Sequence, residues 1–94
     1  MGAFLDNELV GVVYINDYYK SLYIDQIFVD KKLHRNKIAT NMLKYVLNNK
    51  EMFEKIFNKK FDISRLESNG SDLFYEEMGY KKENNVIGTF KRRI

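Results

Sequence analysis

The chain contains no cysteine, no proline and no tryptophan, and its only imidazole is His34. Without cysteine there is neither a disulfide framework nor a thiolate metal site. A single histidine also falls short of the ligand set a structural zinc ion takes. Unbroken apolar runs reach about four residues, and a membrane-spanning helix needs ~20. The opening Met-Gly-Ala-Phe-Leu-Asp lacks the basic region and apolar stretch of a signal peptide. These absences predict a soluble cytoplasmic protein with no bound metal and no membrane partner. Without proline, glycine and asparagine carry the turn signals.

What is present is one domain's worth of chain. In 94 residues, 45% are apolar and 15% aromatic, with seven Tyr and seven Phe. That is enough to build one core, and it argues against disorder. The net charge of +3 is concentrated in Lys31, Lys32, His34, Arg35 and Lys37, and in the tail Lys91-Arg92-Arg93. A mild basic excess suits an anionic ligand such as a nucleotide. The tail triplet reads as a solvated face.

Along the chain, Ala3–Leu5 and Leu9–Ile15 read as a hairpin turned at Asp6-Asn7. Both faces of the second strand carry apolar side chains, which predicts a buried strand. Asn16-Asp17 signals another turn, and Leu22–Val29, rich in β-branched and aromatic residues, a third strand. The period then changes from two to 3.6. Ile38, Ala39, Met42, Leu43, Val46 and Leu47 form one helical stripe. Asn48-Asn49 interrupts it, and Met52, Phe53, Ile56 and Phe57 continue it. Phe61–Leu66 is a short strand. Ser71 or Asp72 caps a further helix that Gly79 ends. Asn84-Asn85 turns the chain into a last strand, Val86–Arg92. The expected fold is α/β, an α+β mixed sheet flanked by helices in the order β-β-β-α-β-α-β.

The stretch Ile27-Phe28-Val29-Asp30-Lys31-Lys32-Leu33-His34-Arg35-Asn36-Lys37-Ile38-Ala39-Thr40 takes a strand through a short basic turn directly into a helix. First-turn helix amides, about Asn36 to Thr40, have no intrahelical partners. With the helix dipole and the side chains of His34, Arg35 and Lys37 they make an anion site, and Arg35 can grip a phosphate bidentately.

This stretch resembles motif A of the GNAT superfamily of acetyl-CoA-dependent N-acetyltransferases, Val-x-x-x-x-Gln/Arg-x-x-Gly-x-Gly/Ala. Val29, His34, Lys37 and Ala39 stand at its four defined places. Ser68-Asn69-Gly70-Ser71-Asp72-Leu73-Phe74-Tyr75-Glu76-Glu77-Met78-Gly79-Tyr80 is similar to the family's second signature, an Asn followed by Phe/Leu-Tyr-Glu-Lys-x-Gly-Phe. Leu9-Val10-Gly11-Val12-Val13 resembles its Ile-Val-Gly strand. Two departures stand out. Lys37 replaces a glycine that lets backbone approach the pyrophosphate, and His34 replaces Gln/Arg with a donor mostly neutral at pH 7. Residues 1–94 would form a single domain lacking the family's usual first strand and the helices after it. Sheet edges left exposed in that way are where a homodimer would pair.

The resemblance implies direct attack of an amine on the acetyl thioester, with acetyl-CoA as co-substrate and no metal. It places the thioester carbonyl against the backbone of Ile27, Phe28 and Val29. The phosphates fall to His34, Arg35, Asn36, Lys37, Ile38, Ala39 and Thr40, and Asn69 meets the CoA arm. Tyr75 is the residue that protonates the leaving thiolate. The base for the amine is Asp25, with Glu67 as second candidate. Asp25 shares strand parity with Tyr23, Ile27 and Val29, which leaves its face open. Two other readings compete: a degenerate module that binds CoA or a protein partner without transfer, and an RNA-binding domain. The second lacks the aromatic strand motif of an RRM and the Gly-x-x-Gly loop of a KH domain, so nucleic acid is not the expected partner.

Overall fold

A computed structural model describes residues 2–5, 7–83 and 88–94, together with all side chains in these spans except those of Phe4, Leu5, His34, Arg35 and Asn36. The first two strands, β1 (Gly2–Leu5) and β2 (Glu8–Tyr18), pair antiparallel across a two-residue turn in which Asn7 takes φ 68°. Asparagine tolerates that left-handed conformation better than other side chains do. Asp6, the other half of the expected turn, lies outside the described residues.

The turn expected at Asn16-Asp17 is not there. Both residues belong to β2, opposite Tyr23 and Leu22 of β3 (Ser21–Val29), and the chain reverses at Tyr19-Lys20 instead. Tyr19 adopts φ 56°, and Ser21 Oγ donates to the Tyr18 carbonyl at 2.5 Å across the reversal. The ladder and this hydroxyl bond outweigh the local turn preference of Asn-Asp.

After β3 come α1 (Ile38–Asn48), α2 (Lys50–Phe57), β4 (Ile63–Glu67), α3 (Asp72–Glu77), β5 (Lys81–Lys82) and β6 (Thr89–Arg93). Asn49, at φ −114°, breaks α1 from α2 where the pair Asn48-Asn49 predicts it. The two helices form the crossover that lets β4 lie parallel to β3. β6 then pairs antiparallel with β4, giving the six-stranded order β1-β2-β3-β4-β6-β5. The fold is thus the expected α/β mixed sheet. β5 was not expected, since two residues carry no period. The last strand begins at Thr89; Asn84, Asn85, Val86 and Ile87 lie outside the described residues.

The core lies on one face of the sheet. Leu22, Ile24, Leu66 and Phe90 from the strands meet Leu43 and Val46 of α1, Phe53 of α2 and Phe61 before β4. The expectation that β2 is buried on both faces is therefore wrong. Val13 is fully buried, but Tyr14 is 52% exposed on the other side, its ring edge-on to the 54% exposed Phe28. Gly11 shows how closely α1 sits on β2. A Cβ built there would stand 2.9 Å from Met42 Cε, 3.1 Å from Ile38 Cγ2 and 3.1 Å from the Phe28 carbonyl. Buried Glu54 ties down the return from α2, its Oε2 accepting from the Phe61 amide at 2.8 Å. The tail triplet lies in β6, and Arg92 turns back to donate to the Met78 carbonyl at 2.5 Å.

Candidate functional site

The site begins where two parallel strands part. The β3–β4 ladder covers Ser21–Ile24 against Ile63–Leu66 and then stops, while β3 continues to Val29. A β-bulge against β2 falls at the same place, because Ile24 pairs with Ile15 and Gln26 with Tyr14, leaving Asp25 extra. Bulges re-aim the side chains beyond them. Leu22 and Ile24 face the core before the bulge, and Ile27 and Val29 pack against it afterwards. The odd–even phase thus switches at Asp25-Gln26, and the parity that grouped Asp25 with Ile27 and Val29 does not hold. Asp25 is exposed, and Phe28 turns its ring to the face opposite the helices.

The basic turn expected between strand and helix is itself helical, and α1 starts only at Ile38. A 3₁₀ helix, Lys31–Asn36, intervenes; it is capped by Asp30, whose Oδ1 accepts from the Lys32 amide at 3.0 Å. Lys37 then holds φ 56° and ψ 29° and serves as the N-cap of α1 without a side-chain capping bond. The resemblance implied a glycine here for close approach to phosphate. The backbone adds a second reason, since this left-handed conformation costs a side chain ~1–2 kcal/mol. We expect Lys37→Gly to raise stability by about 1 kcal/mol, read from denaturant midpoints at constant slope. An unchanged midpoint would refute it. The side chains of His34, Arg35 and Asn36, all expected phosphate contacts, lie outside the described residues.

Across the gap stands α3. Its start is not capped by the side chain of Ser71 or Asp72. Ser68 Oγ accepts from the Ser71 amide at 3.2 Å and donates to Asp72 Oδ1 at 2.6 Å. One turn on, Tyr75 is half-buried and fixed from behind by Tyr80 and Phe90, with ring centroids at 6.2 and 6.3 Å. Burial raises its phenol pKa, so at neutral pH the hydroxyl keeps its proton.

Tyr80 behind it is 1% exposed, and its hydroxyl shares a 2.7 Å hydrogen bond with the buried Ser64 Oγ. Burial pushes its pKa from 10.0 to about 12. The folded state therefore favours the protonated phenol. Its contribution is complete below pH 10 and is lost as pH rises toward 12. That is about 2–3 kcal/mol in all. Thermal melts should be insensitive to this group up to pH 9 and fall above pH 10, with a shallower alkaline fall in Tyr80→Phe. An equal fall in both proteins would show that Tyr80 is not responsible.

Ile27, Val29, Lys37, Ala39, Thr40, Ser71, Phe74 and Tyr75 together line a cleft of about 350 Å³. Six of these come from the sequence expectation. Ser71 and Phe74 were missed, because a helix start and an apolar helix position are their commoner roles. Ile38 packs instead toward Gly11 and the core. Asn69 is exposed and does not line the cleft. Asp25 does not line it either. It lies with Glu67 beside Tyr23, whose pKa is raised by burial first and then by these two carboxylates. Tyr23 alternates with the core-facing Leu22 and Ile24, which puts this acidic pair on the sheet face away from the helices. A larger depression of about 730 Å³ at the α1–α2 corner is lined mainly by charged and amide side chains, including Lys50, Glu51 and Lys60. It has neither a strand end nor an apolar floor, so size does not mark it as the site. Among the described residues no cluster of His, Cys, Asp and Glu suits a metal ion, and no helix is long and apolar enough to cross a membrane.

The site is thus a mixed sheet whose parallel strands part beside the start of α1, with Tyr75 held across the gap. The sequence matches the acetyltransferase (GNAT) domain family over residues 1–88, so the chain belongs to that family and is an acyltransferase by class. No curated protein matches the chain. Among solved structures, an acetyltransferase from Bacillus cereus ATCC 14579 superposes on 100% of the chain with a TM-score of 0.76 at 19% identity. The PaiA N-acetyltransferase from Thermoplasma acidophilum, in complex with coenzyme A, covers 99% with a TM-score of 0.75 at 19% identity. Ard1 from Thermoplasma volcanium covers 95% with a TM-score of 0.73 at 16% identity. At such identities the likeness is one of fold. The chain spans 71%, 58% and 66% of the lengths of these three structures.

Proposed function

We propose that residues 1–94 act as one domain that transfers the acetyl group of acetyl-CoA to a primary amine of a small molecule or peptide. The observation that carries this reading is the cleft where β3 leaves β4, bounded by the start of α1 and by Tyr75. Its lining suits the co-substrate. The first amides of α1 and the Lys37 ammonium favour phosphate. Ile27, Val29, Ala39 and Phe74 offer apolar surface to the pantetheine arm and acetyl methyl. The CoA complex of the Thermoplasma acidophilum protein, which shares this fold, supports the same ligand.

In this reading the amine enters through the gap between the strands, from the face that carries Asp25 and Glu67. Asp25, directly or through water, takes the proton that the nitrogen sheds as it bonds to the carbonyl carbon. A backbone amide of the Ile27–Val29 segment polarises the carbonyl oxygen and stabilises the charge developing there. The carbon–sulfur bond breaks, sulfur leaves with the electron pair, and the Tyr75 hydroxyl gives it a proton. Tyr75 and Asp25 return to their starting states by exchange with solvent.

The test is to incubate the purified chain with acetyl-CoA and a panel of primary amines, following thiol release and acetylated product by mass. Product from at least one amine is expected. CoA binding without any product would favour a non-catalytic module, a reading that draws on Lys37 at a glycine position. No binding of CoA would end the transfer reading and leave a module that meets a protein partner.

A further inference from the structure

The core joins α1, α2 and α3 to one face of the sheet, and the opposite face carries none of them. Along β2 and β3 that open face presents Tyr14 and Phe28, set edge to face and each more than half exposed. Further along stand Tyr18 and Tyr23, with ring centroids 5.5 Å apart. An exposed aromatic band of this kind marks an interaction surface. Beside it the charges are sorted by sign. Asp25 and Glu67 lie next to Tyr23. The register then sets Arg65, Lys91 and Lys81 directly opposite one another on β4, β6 and β5. Like charges so placed destabilise a sheet. Glu83 bridges Arg65 at 2.7 Å, but among the described residues no carboxylate pairs with Lys91 or Lys81.

A face with acids and bases in separate patches does not suit a polyanion, whose phosphates Asp25 and Glu67 would repel. It suits a partner that carries the same patches in the reverse order. We propose that this partner is a second copy of the chain, packed sheet to sheet across the open faces. A two-fold axis parallel to the strands and passing under β4 lays β3 of each copy over β6 of the other, and β2 over β5. Every contact then occurs twice. Tyr23 and Glu67 of each copy come within reach of Lys91 of the other, across the ~10 Å that separates stacked sheets. The molecule measures 38 × 30 × 16 Å, so its broad side exceeds the ~800 Å² per partner of a standard specific interface. The sheet edges offer less, because β1 and β5 have only four and two residues and short edge strands resist pairing. The inference goes beyond the acetyl-transfer reading and does not depend on it. In that reading the amine would reach Asp25 along the seam between the copies.

Sedimentation equilibrium of the purified chain at micromolar concentrations tests this. A reversible two-chain mass is expected. Lys91→Glu and Glu67→Lys should each weaken the dimer at least ~tenfold. An equimolar mixture of the two variants should recover the wild-type affinity within about threefold, because the mixed dimer restores opposite charges at both contacts. Both positions are exposed, and far-ultraviolet circular dichroism confirms that the variants fold. A one-chain mass throughout overturns the inference and leaves the face to a different partner. A dimer that the charge variants do not weaken, or that their mixture does not restore, overturns it in favour of another contact, the sheet edges included.

Discussion

Tyr75→Phe is expected to lower turnover roughly 10²–10³-fold and leave CoA affinity within about threefold. The ring would keep its contacts with Tyr80 and Phe90, so the thermal midpoint should move little. Removing the hydroxyl takes away the proton for the departing sulfur and nothing else at the cleft. Because burial raises the Tyr75 pKa, the alkaline limb that this acid imposes should lie above the ordinary tyrosine value. The limb should vanish in Tyr75→Phe. Measurement of kcat against pH for both proteins decides the matter. Turnover within threefold of wild type would remove Tyr75 from the chemistry and leave it as a wall of the cleft.

Gly11→Val should be the most damaging single change to the sheet. Even a Cβ would approach the Phe28 carbonyl to 3.1 Å and Met42 Cε to 2.9 Å. The methionine can swing aside, but the carbonyl is held in the β2–β3 ladder, where Gly11 pairs with Val29. The valine methyls must then lift α1 off the strand, for an overpacking cost of about 3 kcal/mol. In a domain of this size that corresponds to a thermal midpoint lower by roughly 12–24 °C. Since α1 carries Ala39 and Thr40 into the cleft, CoA binding should weaken as well. A loss below about 1 kcal/mol would show that α1 is not held as tightly as the contacts at Gly11 indicate.

The helices and their apolar stripe were legible in the sequence because a 3.6 period over Ile38 to Leu47 leaves few alternatives. The break at Asn49 and the end of α3 at Gly79, with φ 90°, were legible for the same kind of reason: local backbone chemistry. Turns decided by pairing were not. Asn16-Asp17 carries a stronger turn signal than Tyr19-Lys20, yet the antiparallel register with β3 holds the first pair in the strand. Burial of β2 was misread because a sequence pattern does not reveal whether a helix covers each face. All the described core helices pack on the side of Val13, and Tyr14 stays exposed.

The candidate site divides along the same line. The run from Val29 to Thr40, and Phe74-Tyr75 with Gly79, are contiguous segments whose residue types and spacing carry the resemblance to the family. Sequence alone determined that much, because strand-to-helix junctions and helix ends are written in neighbouring residues. Three features come only from the tertiary structure: the bulge that separates Asp25 from Ile27, the left-handed Lys37, and the meeting of Ser71 and Phe74 with Ile27 and Val29. The last of these depends on where β3 stops pairing with β4. That point is set by hydrogen bonding and packing between segments some forty residues apart (Ile24 to Leu66), and no local periodicity encodes such a distance.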